Sequence, residues 1–464
     1  MKLSPLALSL IAAISVSACQ SVPNHSAPTV DDRPAKPIHR PSQHLITHTL
    51  DNGLTVIIKP DTRAPIVMTQ IWYDVGSSDE PVGKGGMSHF LEHMMFKDAK
   101  GISSHDYQRL ISHFGGDINA FTSSEYTAYY ESLPANQYPL ALQIEANRMT
   151  NLILTPEEVA TEKEVIKEER RLRTDDNPMA KAYEEFLAAA LPDSPLGRPV
   201  IGSMADIDGL SLDDLQAWYD KWYAPNNATL VMVGDIDADE AMIWVEKYFG
   251  HLKPATLPKR TRPTHATHRG YQQLTSHQSV QVPSLIMGFN VPTLGSGDAK
   301  QAHALSLLAD IADGGLSARF EHRLIRQMQL LNSVSISYDM LSKGDGLFMI
   351  SATPRDGVTL ADAEAAIMTV LSEIYEGQIS DQELARARTG LLSSLTFAAD
   401  SIDNQAITLG SLASLGLPLD TLDRLPKDLD AIKKSNIQAI GKAYLTQDNL
   451  TTMYVLPKAA PKTP

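Results

Sequence analysis

The sequence predicts an α+β protein of two homologous domains, each a mainly antiparallel sheet packed with helices, facing each other across a cleft. Three observations predict it. Each half opens with strand-like alternation: LTVIIKP (54–60) and IVMTQIWYDV (66–75) in the first, SLIMGFNVP (284–292) in the second. Each carries a capped helical stretch, LTPEEVATEKEVIKEERRLR (154–173) in one and ISDQELARARTGLLSSLTFA (379–398) in the other. Each closes with a helix and then a strand. In the first these are LSLDDLQAWYDKWYAPNN (210–227) and ATLVMVGDI (228–236); in the second, LDAIKKSNIQAIGKAYLTQDN (429–449) and LTTMYVLP (450–457). Two copies of one unit is the economical reading.

The 464 residues are 43% hydrophobic and 20% charged, which excludes a disordered or collagen-like chain. Lys+Arg 40 against Asp+Glu 55 gives a net charge of −15, so nucleic acid is not an expected partner. The single cysteine, Cys19, allows no intramolecular disulfide and no cysteine metal site. It follows Lys2 and the apolar run LALSLIAAISVSA (6–18), which is too short to span a bilayer and reads as a secretory signal over 1–18. Val16-Ser17-Ala18-Cys19 resembles a bacterial lipobox; that resemblance implies a lipid on Cys19, and Gln20 after it implies the outer membrane, with either face open. The alternative is an ordinary signal with an incidental cysteine.

Residues 19–42, rich in Pro, Ser and polar side chains, read as a tether, and 253–270, with prolines and a basic cluster, as a linker. His265 and His268 in that linker read as solvated side chains. The domains expected between these breaks are 43–252 and 271–457, with a tail over 458–464.

The first domain holds the unusual residues. GGMSHFLEHMMF (85–96) is apolar on most sides, so a helix there is largely buried. Within it His89 and His93, at i and i+4, share one face at a spacing that suits two nitrogens on one metal ion. Glu92 shares that face. A carboxylate beside two imidazoles in an oily helix needs compensation, which a divalent zinc ion supplies; a satisfied core cluster is the alternative. In the helix opened by Thr155-Pro156, an apolar arc is expected from Val159, Val165, Ile166 and Leu172, with Glu162 and Glu169 in its middle. Either one of the two glutamates binds metal while the other supports it, or both pair with arginines such as Arg170 or Arg173.

GGMSHFLEHMMFKDA, followed 76 residues after His93 by Glu169 within EKEVIKEE, resembles the pitrilysin and mitochondrial processing peptidase family of zinc peptidases, the inverzincins. The similarity runs along almost the whole mature chain, including NNATLVMVGDID and the duplicated layout. It implies one Zn2+ per chain held by His89, His93 and Glu169, with Glu92 as general base and Glu162 in support. It also implies that Asn119, Ala120, Phe121 and Thr122 lie on an edge strand that pairs with substrate backbone; an ordinary sheet segment is the alternative. The reaction implied is peptide hydrolysis, Glu92 taking a proton from the attacking water and returning one to the leaving amine.

One departure stands out. Family members commonly carry an Arg and, seven residues later, a Tyr in the second half. Aligned to that pattern, SARFEHRLIRQMQLLNSVS puts Ile325 at the Arg position and Asn332 at the Tyr position, while Arg323, Arg326 and Tyr338 have the wrong spacing. The resemblance therefore implies a same-fold partner supplying the pair, or a homodimer. Two function classes follow: a zinc endopeptidase of the cell envelope acting on peptides or unfolded segments, and a lipid-anchored binding or assembly subunit with little turnover.

Overall fold

The computed structural model describes residues 45–260 and 270–458. The signal segment with Cys19, the tether, His265, His268 and residues 459–464 lie outside the described residues.

Strands β1 (Ile46–Thr49), β2 (Thr55–Pro60), β3 (Ile66–Tyr73), β4 (Asp117–Thr122), β5 (Thr127–Pro134) and β6 (Ala228–Gly234) form one sheet in the order β1-β2-β6-β3-β5-β4. Strands β7 (Gln272–Gln278), β8 (Ser284–Val291), β9 (Leu331–Ser337), β10 (Gly346–Pro354) and β11 (Leu450–Pro457) form a second in the order β7-β11-β8-β10-β9. Each sheet has one parallel pair, β2 with β6 and β7 with β11. Without β1 the two orders match position for position, so the repeat read from the sequence is a repeat of topology. The fold class is as expected: two mainly antiparallel sheets, each packed with helices.

The first half carries helices α1 (Met87–Met94), α2 (Ser104–His113), α3 (Tyr138–Asn151), α4 (Pro156–Arg170), α5 (Pro178–Ala190), α6 (Met204–Gly209), α7 (Leu212–Trp222) and α8 (Ala238–Phe249). The second carries α9 (Ala299–Asp313), α10 (Leu360–Tyr375), α11 (Asp381–Ala398), α12 (Ile402–Leu415), α13 (Thr421–Ala431) and α14 (Lys434–Tyr444).

The first sheet is buried on both faces, which is why its strands read as near-continuous apolar runs. Alternation sends Val67, Ile71 and Tyr73 into a core with α1, α3, α7 and α8. It sends Met68 and Trp72, with Ile57 and Val231, to the opposite face, where Ala406 and Leu409 of α12 cover them. The second sheet is treated the same way: α5 of the first half lays Ala182, Phe186 and Ala190 on Ile286, Met453 and Val455. The halves thus exchange equivalent helices, each closing the other's sheet. Gly410 of α12 permits the close approach, since a Cβ there would stand 2.0 Å from the Trp72 ring. Polar contacts add to the seam: Arg63 to Asp400 at 2.5 Å, Gln405 Nε2 to Asp61 at 2.9 Å, and the Lys343 amide to both Glu125 oxygens at 3.1 Å.

The consequence for function lies at the rim. β4 ends the order of the first sheet, so its outer edge has no strand beside it among the described residues.

Candidate metal centre and active site

Helix α1 is short and held at both ends. It starts at Gly86, whose φ of 88° suits glycine and where a Cβ would stand 2.5 Å from the Ile201 carbonyl oxygen. The first turn's free amides are met by the Glu80 carboxylate, which accepts from Gly86 N at 2.8 Å and Ser88 N at 2.7 Å. Burial nonetheless raises that carboxyl to about 7. Beyond the last turn, Arg148 Nη1 donates to the Met95 carbonyl at 3.1 Å. Arg148 is 2% exposed and pairs with Glu145, three residues back on α3, and with Glu131 of β5 at 3.4 Å. Tyr107 donates to Glu131 at 3.0 Å, and burial pushes the Glu131 carboxyl well up. Sequence reading missed this cluster; its one signal was Glu145 and Arg148 at i and i+3 on an otherwise apolar helix face.

Between those anchors α1 turns His89, Glu92 and His93 toward α4. Thr155 caps α4 by accepting from Glu158 N at 3.2 Å, with Pro156 in the first turn. The face that α4 buries is Val159, Glu162, Ile166 and Arg170. Val165 and Leu172 do not belong to it: they are 47% and 66% exposed, against the expected apolar arc. At 100° per residue, Val165 sits about 100° from Ile166 and the centre of that face lies on Ile166's other side, while Leu172 falls in a π-helical turn (Arg171–Asp175) where an α-helical count fails.

The two histidines and Glu169 converge. His93 Nε2 lies 3.3 Å and His89 Nε2 3.8 Å from Glu169 Oε2. One ligand atom from each of the three residues falls within 4.8 Å of the others. The second carboxylate has a different place: Glu162 Oε1 is 2.8 Å from His93 Nδ1, and its Oε2 is 2.5 Å from Lys97 Nζ. Of the arginines weighed as partners, Arg173 does hold Glu169 Oε1, at 2.7 Å, whereas Arg170 turns away to Glu184 and Asp175. Lys97, four residues after His93, was not foreseen.

The charges sort accordingly. Burial, then neighbouring His93, lowers His89 to about 3, so that imidazole is neutral, and its buried Nδ1 makes no hydrogen bond. Burial opposes charge on His93, but contacts with Glu162 and Glu169 outweigh it and raise the ring to about 9. Burial likewise opposes charge on Glu169, yet His93 and His89 bring it down to about 2. Burial raises Glu92, against a hydrogen bond of 2.5 Å that its Oε2 accepts from Thr122 Oγ1. Two imidazole nitrogens and one carboxylate oxygen are the donors of a zinc site that keeps a fourth position open, and Glu162 on His93 Nδ1 is the orienting contact such a ligand needs. These residues fit a divalent cation.

Residues 119–122 line the free edge near Glu92. Ala120 packs toward α1's core, whereas the Phe121 ring stands edge-on to Trp72 at 5.3 Å on the sheet's other face. The Asn119 side-chain oxygen accepts from the Ala120 amide at 2.9 Å, so one edge donor is met locally.

Residues 55–204 match the family model described as Insulinase (Peptidase family M16), and residues 209–391 that described as Peptidase M16 inactive domain. The chain is 27% identical over 419 residues to the zinc protease PqqE of Helicobacter pylori, covering 88% of this chain and 92% of that protein. It is 30% identical over 345 residues to an uncharacterized zinc protease of Streptomyces coelicolor, covering 73% of this chain and 74% of the relative. The fold is also similar to the periplasmic protease PqqL from Escherichia coli, with a TM-score of 0.76 at 22% identity; the match covers 89% of this chain and 47% of PqqL.

The cluster behind α1 yields a direct test. Arg148→Ala leaves two buried carboxyls without their cation and the last turn of α1 without its donor. The expected cost is about 3–5 kcal/mol of stability, read by urea denaturation; a loss below about 1 kcal/mol would contradict the anchoring role.

Proposed function

The chain belongs to peptidase family M16, and from that premise we propose that it is a zinc-dependent endopeptidase acting on peptides or unfolded protein segments in the bacterial cell envelope. The observation that carries this reading is the convergence of His89, His93 and Glu169 beside Glu92. In it His89, His93 and Glu169 hold one Zn2+, while Glu162 orients His93 and Lys97 steadies Glu162. When bound, zinc acidifies water and polarises the scissile carbonyl. Glu92 takes the proton of the attacking water and delivers one to the leaving amine nitrogen. An extended peptide adds to the edge of β4 along Asn119, Ala120, Phe121 and Thr122, displacing the Asn119 side chain from the Ala120 amide.

The chain acts with a same-fold partner, and three facts support this. Ile325, at the Arg position, packs against the second core, and Asn332, at the Tyr position, donates to the Pro354 carbonyl at 3.1 Å. The nearby substitutes are committed elsewhere: Arg323 to Glu373, Arg326 to Glu321, and Tyr338 to the Pro292 carbonyl. The chain also matches about half the length of PqqL, which is called a periplasmic protease. A lipid on Cys19 anchors the assembly to the outer membrane in this reading. The same missing pair favours the second reading, a binding or assembly subunit with little turnover; elemental analysis with a chelator-sensitive peptide assay separates the two.

Glu92→Gln is expected to retain zinc and to lose peptide cleavage by at least about 100-fold; retained cleavage would contradict the assignment. Native chain isolated from membranes is expected to bring with it a chain of the same fold carrying the Arg and Tyr, and Cys19→Ser to move it to the soluble fraction. Full activity of the lone chain with zinc as its only addition would refute the partner.

A further inference from the structure

Among the described residues, the one hydrogen bond to the Glu92 carboxylate comes from Thr122, on the strand that borders the site. We infer that Thr122 is a positioning residue for Glu92, and that the strand holding the substrate backbone thereby also sets the place of the base. The inference rests on the peptidase reading, in which Thr122 contributes only strand backbone, and gives its hydroxyl a role outside the His-Glu-His motif.

Strand geometry makes the contact specific. Successive side chains of β4 point to opposite faces. Asn119 and Phe121 face the α12 side, where Phe121 joins Trp72 and Tyr126, while Ile118 and Ala120 pack toward the cores on the α1 side. Thr122 falls in the second set, facing α1. Its β-branched side chain is stiff about χ1, so a fixed strand end fixes the hydroxyl. A glutamate by contrast carries three rotatable bonds, and holding one oxygen leaves the other to meet the reacting water.

That strand end is held from several directions. Ser77 N and Ser78 N donate to the Ser123 and Ser124 carbonyls at 3.2 and 2.8 Å. The approach is close enough that a Cβ on Gly76 would stand 2.5 Å from Ser123 O. Three residues beyond Thr122, the Glu125 carboxylate accepts the Lys343 amide of the second half. The half matched by the inactive-domain model thus steadies the segment that presents Thr122.

The test uses the full zinc-loaded chain in the assembly isolated from membranes, an unstructured peptide substrate, and three variants. Thr122→Val keeps shape and removes the hydroxyl; it is expected to lower kcat about 10- to 100-fold with KM and zinc affinity near those of the parent. Thr122→Ser restores the donor and is expected to recover most of kcat. Glu92→Gln is measured alongside. An unchanged kcat in Thr122→Val beside an inactive Glu92→Gln overturns the positioning role alone, as does an equal loss in the Val and Ser variants. Turnover retained by Glu92→Gln overturns the role of the base and this inference with it.

Discussion

Charge crowding is the constraint around which the first half is built. Glu92, Glu162 and Glu169 meet two imidazoles at the junction of α1 and α4, where a carboxylate without a partner costs several kcal/mol. Each receives a different compensation. Glu162 is balanced by Lys97 and His93, Glu169 by Arg173 and the imidazoles, and Glu92 by one hydroxyl. The least compensated carboxylate is Glu92, the group proposed above as the general base. The arrangement leaves a neutral His89, a ring nitrogen of His93 and an oxygen of Glu169 facing one another, a set that a divalent cation joins.

Such a cluster needs a rigid frame, and the duplication provides it. Glu80 and Arg148 clamp the two ends of α1, which is too short to hold its own geometry. The exchanged helices α5 and α12 make each sheet depend on the other half, so the second half contributes to the site without carrying the histidine motif. Its contacts through Lys343 and Glu125 reach the segment next to β4. Among the described residues the second half adds nothing to the candidate cation cluster, and in this view it is part of the frame.

The site was legible in the sequence where chemistry follows helical period. His89, Glu92 and His93 share a face by spacing alone, and every strand and helix quoted for the repeat is present. Choosing Glu169 over Glu162 as the ligand rested on resemblance, because spacing placed both on one arc. Val165 departs from the expected arc because the buried face of α4 centres on the far side of Ile166, and Leu172 because α4 gives way to a π turn after Arg170, where the count of 100° per residue ends. The helix exchange was not legible: amphipathicity says that a helix covers something, not which sheet. Thr122 on Glu92, and Arg148 on the Met95 carbonyl, join different elements 30 and 53 residues apart, and such pairs become visible only when register and packing are known.

The central claim is that the three side chains bind one cation together. Anomalous diffraction at the zinc edge from crystals of the zinc-loaded chain tests it most directly. The account predicts one peak per chain within about 2.0–2.2 Å of His89 Nε2, His93 Nε2 and a Glu169 oxygen. A zinc-loaded chain whose peak lies elsewhere, or whose ligands omit any of the three, would contradict it.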